Sequence, residues 1–344
     1  MSVLIIAMSI VTLIGVYSVQ KLGRNDADQM LHLMCTTGAM NLDTYFDGVE
    51  HSAMTVATLV QESFENMSYD QLDEQVERTR NLFSKVAYNT NGVLTYYFRI
   101  DPEVSETTKG FWHVNLDGNG FVEHEVTDIS QYDTNDTSSL VWFTVPKKTG
   151  KGLWLPPYFT ENLDVRVISY NVPVYWEKRF VGAIGIEIDY RTMANEVENI
   201  RLYNDGYAFI LDSDSNVIYH PDLDSTLVYG DRIAVDKPDK VVGENHIQYS
   251  FHGVEKEAVW LPLSNRMRLY VSVPVSEINS GWHHLVANIL IASLVILGAA
   301  SLIMTRFANR LTDRSVILLK RQRKRIRAIM NLPLIMTRMM KSEF

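Results

Sequence analysis

Two stretches without a single charged residue bracket everything else in this chain of 344 residues. Residues 1–19 read MSVLIIAMSIVTLIGVYSV, and residues 285–305 read LVANILIASLVILGAASLIMT. Each is long enough to cross a bilayer as a helix. Trp282 and Arg306 stand at the two edges of the second run, where interfacial anchors belong. The first run lacks a basic start and a small-residue cleavage site, and it is too long for a signal-peptide core, so an uncleaved span is expected. Whatever lies between the spans has to fold outside the bilayer with both ends tied to it.

Charge orients the molecule. Of the 32 Lys and Arg, 11 follow Thr305, whereas all but two of the 41 Asp and Glu precede it. A basic flank after the second span and an acidic region between the spans place both termini in the cytoplasm. Lys21 and Arg24 pull the other way and are outnumbered. The expected division is a transmembrane helix at 1–19, an extracytoplasmic region, a second transmembrane helix at 285–305, and a cytoplasmic tail at 306–344. The formal net charge of −9 offers nucleic acid no basic surface outside that tail. Cys35 is the only cysteine, so no intramolecular disulfide is available and the external region must hold itself with an apolar core. A hydrophobic content of 46% supplies one.

Between the spans the pattern is first helical. From Asp26 to about Met67 there is no proline, and Met30, Leu33, Met34, Leu42, Phe46, Val49, Met54, Leu59 and Phe64 recur at helical spacing. This predicts a helix continuing outward from the membrane, some 60 Å long at about 1.5 Å per residue. A second helix is predicted from Tyr69 to Val86. Strands follow: GVLTYYFRID, GFWHVNLDG, TGKGLWLPPYF, VRVISYNVPVYW and FVGAIGIEID, separated by turn residues such as Asp117-Gly118. A helical TMANEVENIRL leads into a second, shorter set: GYAFILDSDSNVIYHP, VGENHIQYSFHG, KEAVWLPL and RLYVSVPV. Runs of strands with few interleaved helices argue α+β with antiparallel sheets. A larger module at 24–200 and a smaller one at 201–280 are expected.

The strand VGAIGIEID alternates strictly. Ile184, Ile186 and Ile188 form one face, which should pack on the long helix. Ala183, Gly185, Glu187 and Asp189 form the other, where a carboxylate beside two very small residues marks either a wet surface or a pocket. Trp142, Phe143, Trp154, Tyr158 and Phe159 crowd into WFTVPKKTGKGLWLPPYF, read as a hairpin-like segment. Such aromatics cap a core or build a cage for an ammonium group. No P-loop, G-x-S-x-G or Rossmann fingerprint occurs. No metal-ligand spacing stands out among the nine His, and His220 before Pro221 reads as loop punctuation. Asp212, Asp214, Asp222 and Asp224 lack the Gly and terminal Glu of a calcium loop and read as turn residues. No cofactor and no catalytic residue is expected.

The layout, together with NVPVYWEKRFVGAIGIEID and GYAFILDSDSNVIYHP, resembles the double Cache (dCache) extracytoplasmic sensor domains of bacterial transmembrane receptors, over residues 25 to 280. The resemblance implies two PAS-like modules on a long N-terminal helix. It also implies a small ligand in the membrane-distal module, a location in the bacterial cytoplasmic membrane and, in most receptors of this layout, a homodimer. In Cache sensors of amino acids a motif runs through an Arg, a Trp-aromatic pair, a Tyr and an acid. Trp142 and Phe143 match the pair, Tyr158 the Tyr and Glu187 the acid. The Arg falls at Leu140, and an aspartate two residues after the Tyr falls at Thr160. The resemblance thus keeps the amine end of the site and lacks the carboxylate end, implying an amine or another small cationic or neutral compound.

RFANRLTDR, from Arg306, resembles the opening of a HAMP signalling helix. The basic, Met-rich sequence that follows reads as a polybasic juxtamembrane segment. It also reads as a frame slip near Ser315, because a one-base shift converts Met336-Thr337 and Met339-Met340 to Asp, and Met340-Lys341 to Glu, as at a HAMP end. The family pairs this input with diguanylate cyclase, chemoreceptor or histidine kinase outputs, the cyclase being the reading preferred. A membrane-anchored extracytoplasmic enzyme and a structural adaptor are the competing classes. The enzyme would need a nucleophile–base pair or metal cluster.

Overall fold

The structure, a computed structural model, describes residues 2–65, 67–105, 109–223, 235 and 238–339. Asp224 and the tail beyond Met339 lie outside the described residues. The chain divides into two compact units, one of residues 1–26 with 279–344 and one of residues 27–278.

Helix α1 (Ser2–Phe64) runs without a break through the first uncharged stretch and the helical region after it. Helix α5 (Val275–Met339) likewise runs through the second. Both are long and apolar enough to cross a membrane. Within the first unit the hydroxyls of Thr12 and Ser293 hydrogen-bond at 2.8 Å, a polar contact between apolar helices. Gly23 leaves room for the Trp282 ring, which would stand 3.0 Å from a Cβ there.

In the second unit, a 3-10 turn (Tyr69–Gln71) and helix α2 (Leu72–Tyr88) precede the first sheet. Its strands are β1 (Val93–Ile100), β2 (Gly110–Val114), β3 (Val122–Glu123), β4 (Leu153–Thr160), β5 (Val165–Trp176) and β6 (Arg179–Asp189). They lie antiparallel in the order β3-β2-β1-β6-β5-β4. Helix α3 (Val141–Thr149) stands between β3 and β4, and helix α4 (Tyr190–Glu198) leads to the second sheet. That sheet comprises β7 (Arg201–Leu202), β8 (Gly206–Leu211), β9 (Val217–Tyr219), β10 (Lys240–Gly243), β11 (His246–Phe251), β12 (Val254–Pro262) and β13 (Arg268–Pro274). Its order is β10-β11-β12-β13-β8-β7, with β9 paired to β8. The fold is α+β, with a long N-terminal helix and two antiparallel PAS-like sheets. By strands the second sheet is the larger, seven against six, because the short β7, β9 and β10 add to the four strands expected.

One core runs along α1. Leu31, Cys35, Leu42, Phe46, Val49, Ala53, Val56, Val60 and Phe64 are buried with Ile184, Ile186 and Ile188 of β6, so the isoleucine face packs on the helix side as expected. Of the apolar residues expected along α1, Leu42, Phe46, Val49 and Phe64 are in this stripe, and others are not. Met30, Leu33, Met40, Met54 and Leu59 are exposed, while small Ala27, Ala39, Ala53 and Ala57 are buried. Small side chains among the larger buried ones let the sheets approach the helix closely.

The hairpin-like segment is in fact a helix followed by a strand. Trp142 and Phe143 lie in α3, which opens after Leu140 in a left-handed conformation (φ 45°) and closes at Gly150 (φ 66°), whose N–H bonds the Pro146 carbonyl. Trp, Phe, Thr and Val favour strands locally, and burial of Phe143 overrides that preference. The far end of α3 is fixed by Lys147, which meets the buried Asp101 carboxylate at 2.7 Å and Glu103 at 3.3 Å.

Candidate functional site

The face of the first sheet turned away from α1 lines a cavity of about 480 Å³, within the usual size of a small-molecule site. Register explains its walls. Thr95, Tyr97 and Arg99 of β1 stand opposite Glu187, Gly185 and Ala183 of β6, and alternation puts all six on one face. Asn171 and Ser169 of β5 face Gly185 and Glu187 from the other side.

Strand β4 reaches this face through a bulge. Trp154 pairs with Tyr170, but the register slips by one residue between Leu155 and Tyr158, at Pro156-Pro157, so Tyr158 pairs with Val167. An extra residue reverses sidedness. Trp154 therefore packs on Phe46 of α1 and donates its indole N–H to Glu50, while Tyr158, four residues on, enters the cavity.

Of the residues singled out from sequence, Trp142, Tyr158 and Glu187 line this cavity together, as do Leu140 and Thr160. Phe143 does not. It is buried behind the wall against Ile129, Ala183 and Phe180. The hollow expected over Gly185 is filled, since a Cβ there would lie 2.2 Å from the Tyr97 ring and 2.6 Å from Asn171 Oδ1. Gly185 is the residue that admits Tyr97, whose hydroxyl donates to Asn171. The Asn171 amide in turn donates to Ser169 Oγ at 2.7 Å.

Glu187 is buried but not bare. Thr95 Oγ1 donates to one carboxylate oxygen at 2.6 Å and Tyr158 Oη to the other at 2.5 Å. Burial raises its pKa above the ordinary carboxylate value, opposed by those two hydrogen bonds. Burial also holds the Tyr97 and Tyr158 hydroxyls well above the usual phenol range, with the Glu187 charge adding to it, so both stay protonated donors.

The residue that sequence reasoning missed is Arg99. It is 2% exposed, lines the same cavity, and burial lowers its pKa to about 10, so it remains a cation at neutral pH. One terminal nitrogen donates to the Thr127 carbonyl, and the guanidinium lies 5.9 Å from the Trp142 ring centroid. Its Nε is buried without a hydrogen-bond partner among the described residues. The signal was present as a charge on the alternating polar face of TYYFRI, but nothing in the sequence tells that β1 lies beside β6. Glu187 and Ala183 are four residues apart on β6, about 13 Å at 3.3 Å per residue. The acid and the Arg99 strand position, opposite Ala183, therefore mark opposite ends of the cavity.

A fold of two such antiparallel modules on one long helix, with a ligand-sized cavity in the first, is that of an extracytoplasmic sensor. The chain matches the Cache domain family over residues 19–282, and it belongs to that family. Solved structures with this fold include the ligand-binding domain of the Pseudomonas aeruginosa PAO1 amino acid chemoreceptor PctB in complex with L-Arg. It is 15% identical, with a TM-score of 0.53 covering 76% of this chain and 94% of that one. The ligand-binding domain of Mlp24 with asparagine is 20% identical (TM-score 0.51, 77% and 99% covered). The extracellular domain of mmHK1S-Z3, described as a histidine kinase, is 16% identical (TM-score 0.54, 74% and 96% covered). A search of curated proteins finds no match. The chain is thus a small-molecule sensor of the Cache class, and its relatives in fold serve chemoreceptors and histidine kinases.

Proposed function

We propose that the first-sheet cavity binds a small organic zwitterion, its ammonium beside Glu187 and its anionic end beside Arg99. The observation that carries this reading is the buried Arg99 guanidinium in the same cavity as the buried Glu187. The Asp128 charge already acts on this guanidinium, but its Nε has no hydrogen-bond partner among the described residues, which leaves a buried donor for a ligand anion. Arg99 therefore supplies from β1 the partner that Leu140 cannot, and the ligand need not lack a carboxylate. Trp142 and Tyr158 would wall the apolar body between the charges. The relatives crystallised with L-Arg and asparagine bind ligands of this kind, which supports the class without fixing the compound.

In this reading the chain is the input half of a receptor in the bacterial cytoplasmic membrane. Residues 24–280 lie outside and both ends inside, and α5 passes the change to a HAMP linker and an output module such as a diguanylate cyclase. Ligand acts by binding two conformations unequally. The chain itself is not an enzyme here, and domain boundaries at 200/201 separate the ligand module from the membrane-proximal one. The exposed Leu33, Met40 and Met54, spaced by sevens or twice seven on α1, support a homodimer along that helix.

The test is a thermal-shift screen of amines, amino acids and organic acids on the purified chain, followed by calorimetry on the hits. Glu187→Gln is expected to weaken a zwitterionic hit by about 2–5 kcal/mol, the range for breaking a desolvated charge pair. Arg99→Met is expected to do the same and to leave a plain amine unaffected. Equal binding by both variants and the parent would sink the proposal.

A further inference from the structure

Far from the cavity, where the first external turns of α1 meet the second sheet, three ligand-type side chains converge that no sequence spacing connects. Asp28 and His32 are one helical turn apart on α1, and His246 opens β11 more than two hundred residues later. His246 Nδ1 stands 2.9 Å from Asp28 Oδ1, and His32 Nε2 stands 3.8 Å from the same oxygen. All three donor atoms lie within 4.8 Å of one another. In a tetrahedral zinc site with ligand bonds near 2.0–2.1 Å, donor atoms are separated by about 3.4 Å. Small side-chain rotations therefore suffice.

We propose that Asp28, His32 and His246 form a binding site for a divalent transition metal of the zinc type. Two imidazoles and one carboxylate are the donor set such an ion takes, with water or a ligand completing the coordination. The second argument comes from the far side of His246. Its Nε2 lies 3.4 Å from Glu257 Oε2, and both residues are buried. His246 and Glu257 are diagonal neighbours on the β11–β12 ladder, where His246 faces Val259 and Gln248 faces Glu257. The contact is not a hydrogen bond, since Nε2 is buried without a hydrogen-bond partner among the described residues. A small ring rotation, such as an ion on Nδ1 would impose, brings the Nε2 proton onto this carboxylate, the usual outer partner of a metal-bound histidine. His246 thus turns Nδ1 to α1 and lies with Nε2 near Glu257.

Asp28 and His32 are half exposed, so the site opens to solvent and an ion can enter without unfolding. Because two ligands come from α1 and one from the second sheet, a bound ion fastens the helix to the membrane-proximal module. It is an input separate from the first-sheet cavity. The rival arrangement uses no metal: His246 pairs with Asp28 alone, Glu257 stands beside it, and His32 contributes only its ring edge, 5.9 Å away.

The test uses the 344-residue chain purified in detergent and stripped with chelator, titrated with ZnCl2 by calorimetry and with CoCl2 by visible absorption. One ion per chain is expected, with a raised unfolding temperature and the cobalt band of a low-coordinate nitrogen–oxygen site. His32→Ala, at an exposed position, should fold as the parent does and lose at least about tenfold in affinity. Asp28→Asn should behave similarly, whereas His51→Ala on the same helix should bind like the parent. Absence of stoichiometric binding, or binding that His32→Ala leaves intact, overturns the site. Neither result bears on the cavity, because none of the altered residues lines it.

Discussion

Single residues in this protein are set by what buries them. Glu187 is an acid whose folded pKa lies above its unfolded one, so ligand-free protein loses stability as pH rises above the ordinary carboxylate range. A bound ammonium reverses that cost, and affinity for an amine should rise with pH across the same window, measurable by titration at several pH values. His220 has the opposite logic. It is not the loop punctuation its place before Pro221 suggests but a buried side chain. Its Nδ1 accepts the Asp222 N–H at 3.1 Å, which leaves Nε2 to donate to Tyr207 Oη at 3.1 Å, so the neutral ring is the one that fits. Burial lowers its pKa to about 4, with Lys256 and His252 acting in the same direction and Asp222 against it. The unfolded chain therefore takes up the proton first, and stability falls as pH drops from about 6.5 towards 4. The loss should be about 2–3 kcal/mol in urea titrations, after allowance for partial screening, and His220→Gln should flatten it. Cys35 belongs here too. It is buried with its thiol against the Leu269 carbonyl at 3.6 Å, and burial pushes its pKa to about 12. It should therefore not react with thiol reagents in the folded state.

At the scale of elements, α3 is the piece most exposed to single changes. It carries Trp142 at one end and is held at the other by Lys147 on Asp101. Asp101 is 1% exposed, and its other oxygen already accepts the Glu103 N–H at 2.9 Å. Asp101→Asn removes the charge but not the shape, leaving Lys147 with Glu103, Thr134 and the Phe180 ring. Breaking a fully buried pair costs about 3–5 kcal/mol. Because Lys147 keeps other partners, about 2 kcal/mol is expected from urea midpoints. Ligand affinity should fall with it, since the Trp142 wall loosens. Lys147→Met, which removes the other charge, should destabilise more, because it strands the buried carboxylate.

For the whole molecule the decisive test is topology. Since Cys35 is inaccessible, a Cys35→Ala background with one new cysteine at exposed Lys178 and another protein with one at Ser315 are the probes. An impermeant thiol reagent on intact spheroplasts should label the first and not the second, and the reverse pattern would invert the orientation. Assembly is tested separately. Leu33→Asp with Met40→Asp, both on the exposed side of α1, should shift the detergent-solubilised protein from dimer to monomer in sedimentation. No change would remove that helix from the interface.

The sequence by itself determined the two uncharged helical stretches, the long helix that the sheets pack on, the strands in their order, and the side of β6 that faces the core. These follow from local period and from charge, which a chain carries wherever it folds. That Trp142, Tyr158 and Glu187 line one cavity was legible because the family resemblance tied them together. What only the tertiary structure decided depends on which strands lie side by side. Arg99 meets the cavity because β1 pairs with β6. Trp154 and Tyr158 part company because a bulge at Pro156-Pro157 reverses the strand. Phe143 leaves the cavity because burial makes its segment a helix. Asp28, His32 and His246 come together because β11 closes over the base of α1. Register and pairing are set by the packing of the whole core, and no window of sequence contains them.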